Sequence, residues 1–454
     1  MAVWSEASTT EILATRRIDA EFSQPKYLEA ERKTRSCKAD NLGNLGTFVP
    51  GPFGSAFRVS NYDFQSPYRY IRGQDVKPFF ILEDDSRFIP QADFIRLQHY
   101  AVKKDDLMIS VVGTLGNVAV CTERETPAMF SCKSTIFRSE KVDPYYLLGY
   151  LNSHFGQLCL LRRQRGAIQM GLNIEDLRSI PIPRIGELEE GRIAEKVRNA
   201  HDELISSRES YQSAQQLLES ELGLDKLSFQ KPVGYTTRLS ELELSRRTDA
   251  EFYHIKYEPF LDAARNYKNG CNTVGQLTKR TLPNFDAGKH EADFDYIEIG
   301  DISTSDGTYG KNQINAARLP ANAKIKLSGG EILISQVRPT RGAIAVVQDH
   351  LTHESICSGA FYVCTANDPE YREIIWLYLR SIRIVFEKYC DGTSYPTIDS
   401  RYISKFPVPL FDHALAEEIK ALIRKSKSAK QESEQLLEQA KTRVEQLIEE
   451  AVQS

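Results

Sequence analysis

The sequence predicts a mixed α/β protein of two similar globular halves, each followed by a long helix, with the two helices pairing as an antiparallel coiled coil. Three observations lead to this fold class: an internal repeat, the same order of short strands and turns in both halves, and two charged segments with helical periodicity. The chain has 454 residues, which is enough for two or three domains that each bury a core.

An internal repeat is the clearest feature of the chain. Residues 16–27 read RRIDAEFSQPKY and residues 246–257 read RRTDAEFYHIKY, and these segments match at eight of twelve positions without a gap. Self-similarity at a fixed distance indicates a duplicated structural unit. We therefore expect the two halves of the chain to share one fold.

Short strands and turns follow in the same order in both halves. The run YRYIRGQDV from residue 68 corresponds to FDYIEIGDI from residue 294, and DDLMISVVGTLGNVAV from residue 105 corresponds to GEILISQVRPTRGAIAV from residue 330. The second pair reads as strand, glycine-containing loop and strand, so GTLG and RPTRG are predicted to be hairpin connections. Each half is then predicted to contain a cysteine-bearing strand, near Cys132 or Cys357, and an aromatic-rich helix, at 145–153 or 371–381.

Each half ends in a Pro-x-Pro exit that precedes a long amphipathic helix. The segment GAIQMGLNIEDLRSIPIP from residue 166 aligns with GTSYPTIDSRYISKFPVP from residue 392, and after each the hydrophobic period changes from two to about three and a half. Helices of about 40 residues, roughly 60 Å long, cannot pack wholly against one domain, so we expect the two to pair. The predicted seam of the first helix is Ile193, Val197, Ala200, Leu204, Ser207, Tyr211, Ala214 and Leu218. The predicted seam of the second is Leu415, Ile419, Leu422, Ser426, Ala429, Ser433, Leu436 and Ala440, then Val444, Leu447 and Ala451.

These patterns divide the chain into four segments. The globular halves are predicted at 1–183 and 225–409, and the helices at 184–224 and 410–454. The residues predicted to bind partners through the helices are Ile193, Leu204, Leu218, Leu422, Leu436 and Leu447.

Composition limits the classes of protein to which the chain can belong. A hydrophobic fraction of 41% and a charged fraction of 26% are those of a globular protein and not of a disordered one. No stretch approaches the roughly 18 to 20 consecutive apolar residues of a membrane span, and the first ten residues lack a signal-peptide pattern, so we expect a cytoplasmic protein with no membrane contact. The net charge of −4 gives no global attraction to DNA, so any nucleic-acid binding must use basic residues gathered on one surface.

The sequence offers no pattern for catalysis or for a bound metal. The eight cysteines and eight histidines lack the paired spacing of metal sites, and there is no P-loop or nucleophile triad. The segment 143–146 reads DPYY and resembles the Asp/Asn-Pro-Pro-Tyr signature of adenine methyltransferases, but the second proline is missing. Because the equivalent segment 368–371 reads DPEY, we interpret both as an aspartate helix cap followed by proline at the first helical position.

Two repeated acidic pairs also favour a structural interpretation. Asp19 and Glu21, like Asp249 and Glu251, lie directly after a pair of arginines. Carboxylates could serve acid–base or metal chemistry, but arginines at this distance favour ion pairs within the protein.

Loop arginines provide the candidate contacts with DNA. Guanidinium and amide groups make paired hydrogen bonds with phosphates and base edges. Loops that differ between two otherwise similar halves suit the reading of two different sequences. The predicted DNA-binding residues are Arg162, Arg163, Arg165 and Gln169 in the first half, and Arg338, Arg341, Lys388, Ser394 and Tyr395 in the second.

The order of globular half, Ile-Pro-Ile-Pro, long helix, globular half, Phe-Pro-Val-Pro and long helix resembles the specificity subunit of type I restriction-modification systems. The resemblance covers nearly the whole chain and includes the strand-loop-strand segments LMISVVGTLGNVAV and ILISQVRPTRGAIAV. The family commonly continues Pro-x-Pro with another proline and a Glu-Gln pair, whereas this chain has Arg-Ile-Gly at 184–186 and Leu-Phe-Asp at 410–412.

The resemblance implies two target recognition domains that each bind one half of a split double-stranded DNA site, with the helices as an antiparallel spacer. It implies no chemistry for this chain and no bound cofactor. Two modification subunits would methylate adenine with S-adenosylmethionine, and restriction subunits would use ATP and Mg to translocate and cleave DNA.

Two alternatives remain open at this stage. One is the specificity partner of a two-component, type IIB-like restriction system, in which one other subunit carries both methylase and nuclease. The other is a coiled-coil scaffold protein whose α/β halves bind proteins instead of DNA. A scaffold gives no reason for unequal arginine-bearing loops at matching positions.

Overall fold

The structure is a computed structural model of the 454-residue chain. It describes residues 6, 9–15, 17–52, 54–83, 86–166, 170–227, 234, 236–392 and 394–453. The chain forms two compact units: unit 1 comprises residues 1–204 and 430–454, and unit 2 comprises residues 205–429.

Unit 1 contains six short helices, nine strands and parts of two long helices among its described residues. The short helices are α1 (Thr9–Thr15), α2 (Pro25–Ser36), α3 (Gln91–Arg96), α4 (Pro144–Leu151), α5 (His154–Leu161) and α6 (Ile174–Arg178). The strands are β1 (Asp40–Asn41), β2 (Gly46–Pro50), β3 (Tyr68–Ile71), β4 (Arg87–Ile89), β5 (Leu107–Ser110), β6 (Val118–Val120), β7 (Ala128–Phe130), β8 (Ser134–Ser139) and β9 (Pro181–Ile182). The first long helix, α7 (Glu187–Glu221), starts in this unit.

A four-stranded sheet, in the order β2-β8-β5-β6, forms the centre of unit 1. Side chains of β5 alternate between two cores: Leu107 and Ile109 pack with α4 and α5, while Met108 packs with the side of the sheet that carries Ile136. This period of two is that of a strand buried on both faces. A second sheet, β4-β3-β7, contains the parallel pair β3 and β7.

Unit 2 contains the following described helices and strands besides the end of α7. The helices are α8 (Leu239–Ser245), α9 (Glu258–Arg265), α10 (Val274–Leu277), α11 (Arg372–Ser381), α12 (Ser400–Ile403) and the long α13 (His413–Gln453), which ends in unit 1. The strands are β10 (Cys271–Thr273), β11 (Thr278–Thr281), β12 (Asp293–Ile297), β13 (Asn312–Asn315), β14 (Ala323–Leu327), β15 (Glu331–Ser335), β16 (Ile344–Val346), β17 (Ser355–Ser358), β18 (Phe361–Ala366), β19 (Cys390–Asp391), β20 (Thr397–Ile398) and β21 (Pro407–Pro409).

Unit 2 repeats the topology of unit 1. Its central sheet has the order β11-β18-β15-β16, and its second sheet, β13-β12-β17-β14, again contains a parallel pair, β12 and β17. The same positions also make the same contacts: the hydroxyl of Tyr146 donates to the carbonyl of Pro183, and that of Tyr371 donates to the carbonyl of Pro409. The structure therefore confirms the predicted mixed α/β fold with two similar halves.

The local expectations are largely confirmed. β5 pairs with β6, and β15 with β16, as antiparallel hairpins. The carboxylate of Asp143 accepts a hydrogen bond from the backbone of Tyr145, and that of Asp368 accepts one from Glu370, so both are helix caps with proline at the first position. One expectation is corrected, because Cys132 lies in the turn between β7 and β8 and not within a strand.

The two long helices run antiparallel, as predicted. In unit 1 the hydroxyl of Ser433 donates to the carbonyl of Ala200 at 2.6 Å. In unit 2 the hydroxyl of Ser207 donates to the carbonyl of Ser426 at 2.7 Å. Serine and alanine at these crossing points let the two backbones approach closely, and the serine hydroxyls are satisfied by the opposite helix.

The seam of α7 is close to the prediction, and the seam of α13 matches it in part, because six of its predicted residues are buried: Ile419, Ser426, Ala429, Ser433, Ala440 and Val444. On α7 the predicted seam residues are buried, except for the half-buried Leu204. On α13 the predicted Leu415, Leu422, Leu436 and Leu447 are only half-buried. The buried positions beside them are Ala416, Ile423, Leu437 and Ile448.

Two of the predicted partner-binding residues are corrected by this packing. Ile193 and Leu218 are fully buried in the cores of their own units, so neither is exposed to another subunit. Leu204, Leu422, Leu436 and Leu447 keep some exposed surface and stay predictions.

The described residues offer neither a membrane span nor a metal-binding cluster. None of the helices in that part of the chain is long and apolar enough to cross a membrane. Nor does that part contain a group of three or more His, Cys, Asp or Glu side chains that could hold a metal ion.

Candidate nucleic-acid interface

The first repeated segment forms an ion pair at the same place in each unit. Arg17 contacts both carboxylate oxygens of Asp19 at 2.8 and 2.9 Å, and Arg247 contacts those of Asp249 at 2.8 and 3.0 Å. The hydrogen bond from the neighbouring arginine holds the pKa of each aspartate below its usual range. Arg17 also donates to the carbonyl of Gln164. The repeated acidic residues thus have the structural role that the sequence favoured.

Two of the predicted DNA contacts lie inside unit 1. Arg162 and Arg163 are each 3% exposed, and both bind the carboxylate of Glu31 on α2, at 2.6 and 2.9 Å. Arg162 also donates to the carbonyl of Phe22 and packs over its ring. Guanidinium groups held in this way cannot reach phosphates or bases, so the prediction for Arg162 and Arg163 is wrong.

Lys388 occupies in unit 2 the place that Arg162 occupies in unit 1. It is 8% exposed, donates to the carbonyl of Phe252 and pairs with Glu258 at 3.1 Å. Its ammonium group lies 4.7 Å from the centroid of the Phe252 ring. Lys388 is therefore a structural cation of the repeat, and its predicted contact with DNA is also wrong.

Of the remaining candidates of unit 1, Arg165 lies in the turn after α5. Arg165 is about half exposed, and its guanidinium contacts Asp176 at 2.5 and 2.8 Å. Gln169 lies outside the described residues. Arg165 stays a prediction for DNA binding.

Unit 2 brings three of its predicted residues together. The guanidinium of Arg338 donates to the carbonyl of Ser394 at 3.2 Å and lies 4.2 Å from the centroid of the Tyr395 ring. Two backbone contacts fix this arrangement, because the amide of Arg338 donates to Pro396 at 2.7 Å and Val337 forms an isolated bridge with Thr397. Ser394 and Tyr395 are exposed, the latter by 68%.

Arg341 lies on the same loop, and a neighbouring arginine was not anticipated. Arg341 is exposed at the end of the short helix Pro339–Arg341, which lies against the segment Arg383–Tyr389. Arg383 begins that segment and is exposed as well. A methyl group added at Gly342 would lie 2.8 Å from the Cδ atom of Arg383, which places the Arg383 stem against the loop. No sequence pattern points to Arg383, because its proximity depends on the packing of two distant segments.

A buried arginine holds this loop in place. Arg380 is 2% exposed and donates to the carbonyls of Gly342, Ile344 and Thr304 at 2.8, 3.1 and 3.0 Å. It also donates to the hydroxyl of Tyr211 on α7 at 2.7 Å. These four acceptors satisfy the Arg380 guanidinium. The loop is therefore fixed to the core of unit 2 by a hydrogen-bond network centred on a buried arginine.

The matching loop of unit 1 has the same support and different side chains. It carries Gly113 where unit 2 has Arg338, and it is one residue shorter, so that Gly116 matches Gly342 and Arg341 has no counterpart. The side-chain amide of Gln157 donates to the carbonyl of Gly116 at 2.9 Å. The two loops therefore have a shared frame and present unlike surfaces.

Comparison with solved structures finds specificity subunits. The crystal structure of the type I restriction-modification system S subunit from M. genitalium is 13% identical and covers 90% of this chain and 95% of that chain, with a TM-score of 0.45. The HsdS subunit from Thermoanaerobacter tengcongensis is 12% identical and covers 90% of this chain and 96% of that chain, with a TM-score of 0.28. No protein-family model matches the sequence, and the comparison with curated proteins gives no match.

Proposed function

We propose that this chain is the DNA-recognition subunit of a type I restriction-modification complex. Each unit binds one half of a split double-stranded DNA site, and the paired helices set the distance between the two halves. The chain itself carries out no reaction and works in the cytoplasm.

The contrast between a shared frame and unlike loops supports this function. In both units an isolated bridge fixes the hairpin loop, which is β5–β6 in unit 1 and β15–β16 in unit 2, to the segment before the Pro-x-Pro exit. The bridged pairs are Val112 with Gly171 and Val337 with Thr397. On that frame, unit 1 has Gly113 where unit 2 presents Arg338, and the longer loop of unit 2 adds Arg341. Two rigid supports with different loop residues suit one chain that reads two unlike sequences.

The length and the exposed surface of the long helices also support this function. α7 and α13 are 35 and 41 residues long, so each is roughly 50 to 60 Å in length. Their apolar seams are used within the chain, and much of the rest of their surface is polar and exposed. In our proposal, two modification subunits bind along this helix pair and the adjacent units, and restriction subunits join the complex through them.

The cofactors belong to these partner subunits in the proposal. S-adenosylmethionine is bound by the modification subunits, and ATP and Mg by the restriction subunits. The chain is expected to bind none of them.

Methylation sequencing tests the proposal. The chain would be co-expressed with methyltransferase subunits from its own organism, in a host without other adenine methylases. We expect methylated adenine in a bipartite motif with two unlike halves and a fixed spacer. Methylation with no bipartite motif, or a motif that is the same when this chain is omitted, would contradict the proposal.

A further inference from the structure

We propose that Arg338, Arg341 and Arg383 form a phosphate-binding surface that makes unit 2 the electrostatic anchor of the chain on duplex DNA. The inference rests on the proposed function and names the chemistry of one part of the interface. The occupant is the sugar-phosphate backbone, whereas the neighbouring Ser394 and Tyr395 are left to contact bases. Unit 1 contributes less of the salt-dependent affinity.

The backbone of Arg338 has an unfavourable conformation. Its φ and ψ are 49° and 50°, in the left-handed region, which side chains other than glycine adopt at a cost in folding free energy. Unit 1 has glycine at the matching position, Gly113, with a φ of 91°. An arginine that replaces the favoured glycine points to a use for its side chain outside the fold.

The three arginines lie together on a fixed support, with Arg338 half-buried. Arg341 and Arg383 are exposed, and the Arg338 guanidinium is held beside them by the Ser394 carbonyl and the Tyr395 ring. Within the described residues, Arg341 makes no side-chain hydrogen bond or ion pair. Arg338 and Arg383 are each held by a backbone carbonyl, that of Ser394 and that of Arg380, so these two lose less conformational freedom on binding than Arg341 does.

Acidic side chains on the neighbouring segments are already engaged. Asp391 contacts Arg247, and Asp399 contacts Arg401 at 3.0 Å. The acceptors of Arg338 and Arg383 are the uncharged carbonyls of Ser394 and Arg380. The arginine charges therefore stay available to an external partner, and phosphate oxygens suit such a group because each guanidinium can bind them with two parallel hydrogen bonds.

The matching positions in unit 1 are poorer in positive charge. Gly113 stands at the position of Arg338, and the shorter loop of unit 1 has no counterpart of Arg341. Two exposed cations next to that loop are Arg165, which is paired with Asp176, and Lys133, whose backbone carbonyl accepts from Val111 at 2.9 Å. The position that corresponds to Lys133 in unit 2 is Ala360, whose carbonyl accepts from Gln336 at 2.9 Å. Among these described residues, cations without an ion-pair partner thus number three in unit 2 and one in unit 1.

The salt dependence of binding tests the anchor. The full chain, wild type and variants, would be titrated against a fluorescent random-sequence duplex at several salt concentrations. We expect Arg341→Ala, Arg383→Ala and their combination with Arg338→Gly to lower the slope of log affinity against log salt by about 0.9 for each phosphate that is no longer bound. Lys133→Ala should change the slope less than the combined variant, and Lys289→Ala, an exposed cation paired with Asp286 elsewhere in unit 2, should leave it unchanged.

Arg338→Gly provides an independent readout. Because glycine favours the left-handed backbone, this variant should unfold at a temperature no lower than the wild type and yet bind the random duplex more weakly. Unchanged slopes in the combined variant would overturn the anchor, as would weaker binding confined to the specific site with random DNA unaffected. A wild-type chain that binds no DNA, alone or with its partners, would instead overturn the proposed function.

Discussion

Arg163 holds Glu31 in a two-point contact inside unit 1: its Nη1 atom lies 2.9 Å from Oε2, and its Nη2 atom lies 3.2 Å from Oε1. Arg162 adds a third contact, at 2.6 Å, to the same Oε2 atom. One carboxylate on α2 thus binds two buried cations from the segment that follows α5. This cluster stabilises the core of unit 1 and is closed to DNA.

Removing the Glu31 charge should destabilise unit 1. Glu31→Gln leaves Arg162 and Arg163 buried without a carboxylate, and we expect the free energy of unfolding to fall by about 3 to 5 kcal/mol. Chemical denaturation followed by fluorescence measures this change. Asp176→Asn, which removes the partner of the half-exposed Arg165, is the matched control and should cost at most about 1 kcal/mol. Equal effects of the two substitutions would contradict the account.

The same cluster should make stability depend on acid pH. Burial alone would raise the pKa of Glu31, but the charges of Arg163, Arg162 and Arg35 and a hydrogen bond from Arg163 lower it from 4.5 to about 2. A carboxylate whose pKa is lower in the folded state stabilises the fold above its unfolded pKa, and this stabilisation disappears as the pH falls towards the folded value.

We therefore expect the difference in unfolding free energy between wild type and Glu31→Gln to be constant well above pH 4.5 and to shrink between pH 4.5 and about 2. Urea denaturation at a series of pH values measures it. A difference in unfolding free energy that grows as the pH falls would contradict a lowered pKa of Glu31.

The close approach of the long helices should be sensitive to side-chain size. Ala440 is fully buried in the core that contains Ile193 and Val197, so Ala440→Leu should overpack it and cost about 1 to 3 kcal/mol. Ala421 lies on the exposed side of the same helix. Ala421→Leu should change the free energy of unfolding by less than about 0.5 kcal/mol, and a comparable destabilisation in both variants would contradict the assigned seam.

The half-buried Leu422 and Leu436 of α13 show where hydrophobic periodicity alone cannot identify the buried residue. Leu422 and Ile423 are adjacent, as are Leu436 and Leu437, so two registers of the same heptad pattern are equally apolar. The choice between them depends on the opposing helix, through contacts such as Ser433 with Ala200. α7 also contains such a pair, Leu217 and Leu218, of which Leu218 is the buried member, so its seam depends on the opposing helix as well.

Burial of the arginines could not be predicted for a different reason. A run such as Arg162, Arg163 and Arg165 has the composition of a solvated turn. Glu31 binds the first two of these arginines, and it is distant from them in the sequence. Caps and hairpins were predictable because their determinants lie within a few residues, as in the Asp143 cap. The grouping of Arg338, Arg341 and Arg383 on one surface depends on tertiary contacts and so became visible only in the structure.

The helix pair should act as the ruler of the DNA site. Ala200 opposes Ser433 and Ser207 opposes Ser426, so removing residues 203–209 together with 424–430 takes one heptad from each helix and keeps the pairing on both sides. The helix pair would shorten by about 10 Å, which corresponds to about three base pairs of DNA. We expect the spacer of the methylated motif to change or methylation to be abolished, and an unaltered spacer would contradict the ruler.

The most direct test of the central claim, that each unit reads one half-site, is a chain with two copies of the first half. Residues 225–409 would be replaced by residues 1–183, with both long helices retained, and the methylated motif would be determined with the modification subunits present. Because the helices run antiparallel, we predict a motif with two identical half-sites in inverted orientation, both equal to one half of the wild-type motif. A motif that keeps two unlike halves, or that shares neither half with the wild type, would contradict the account.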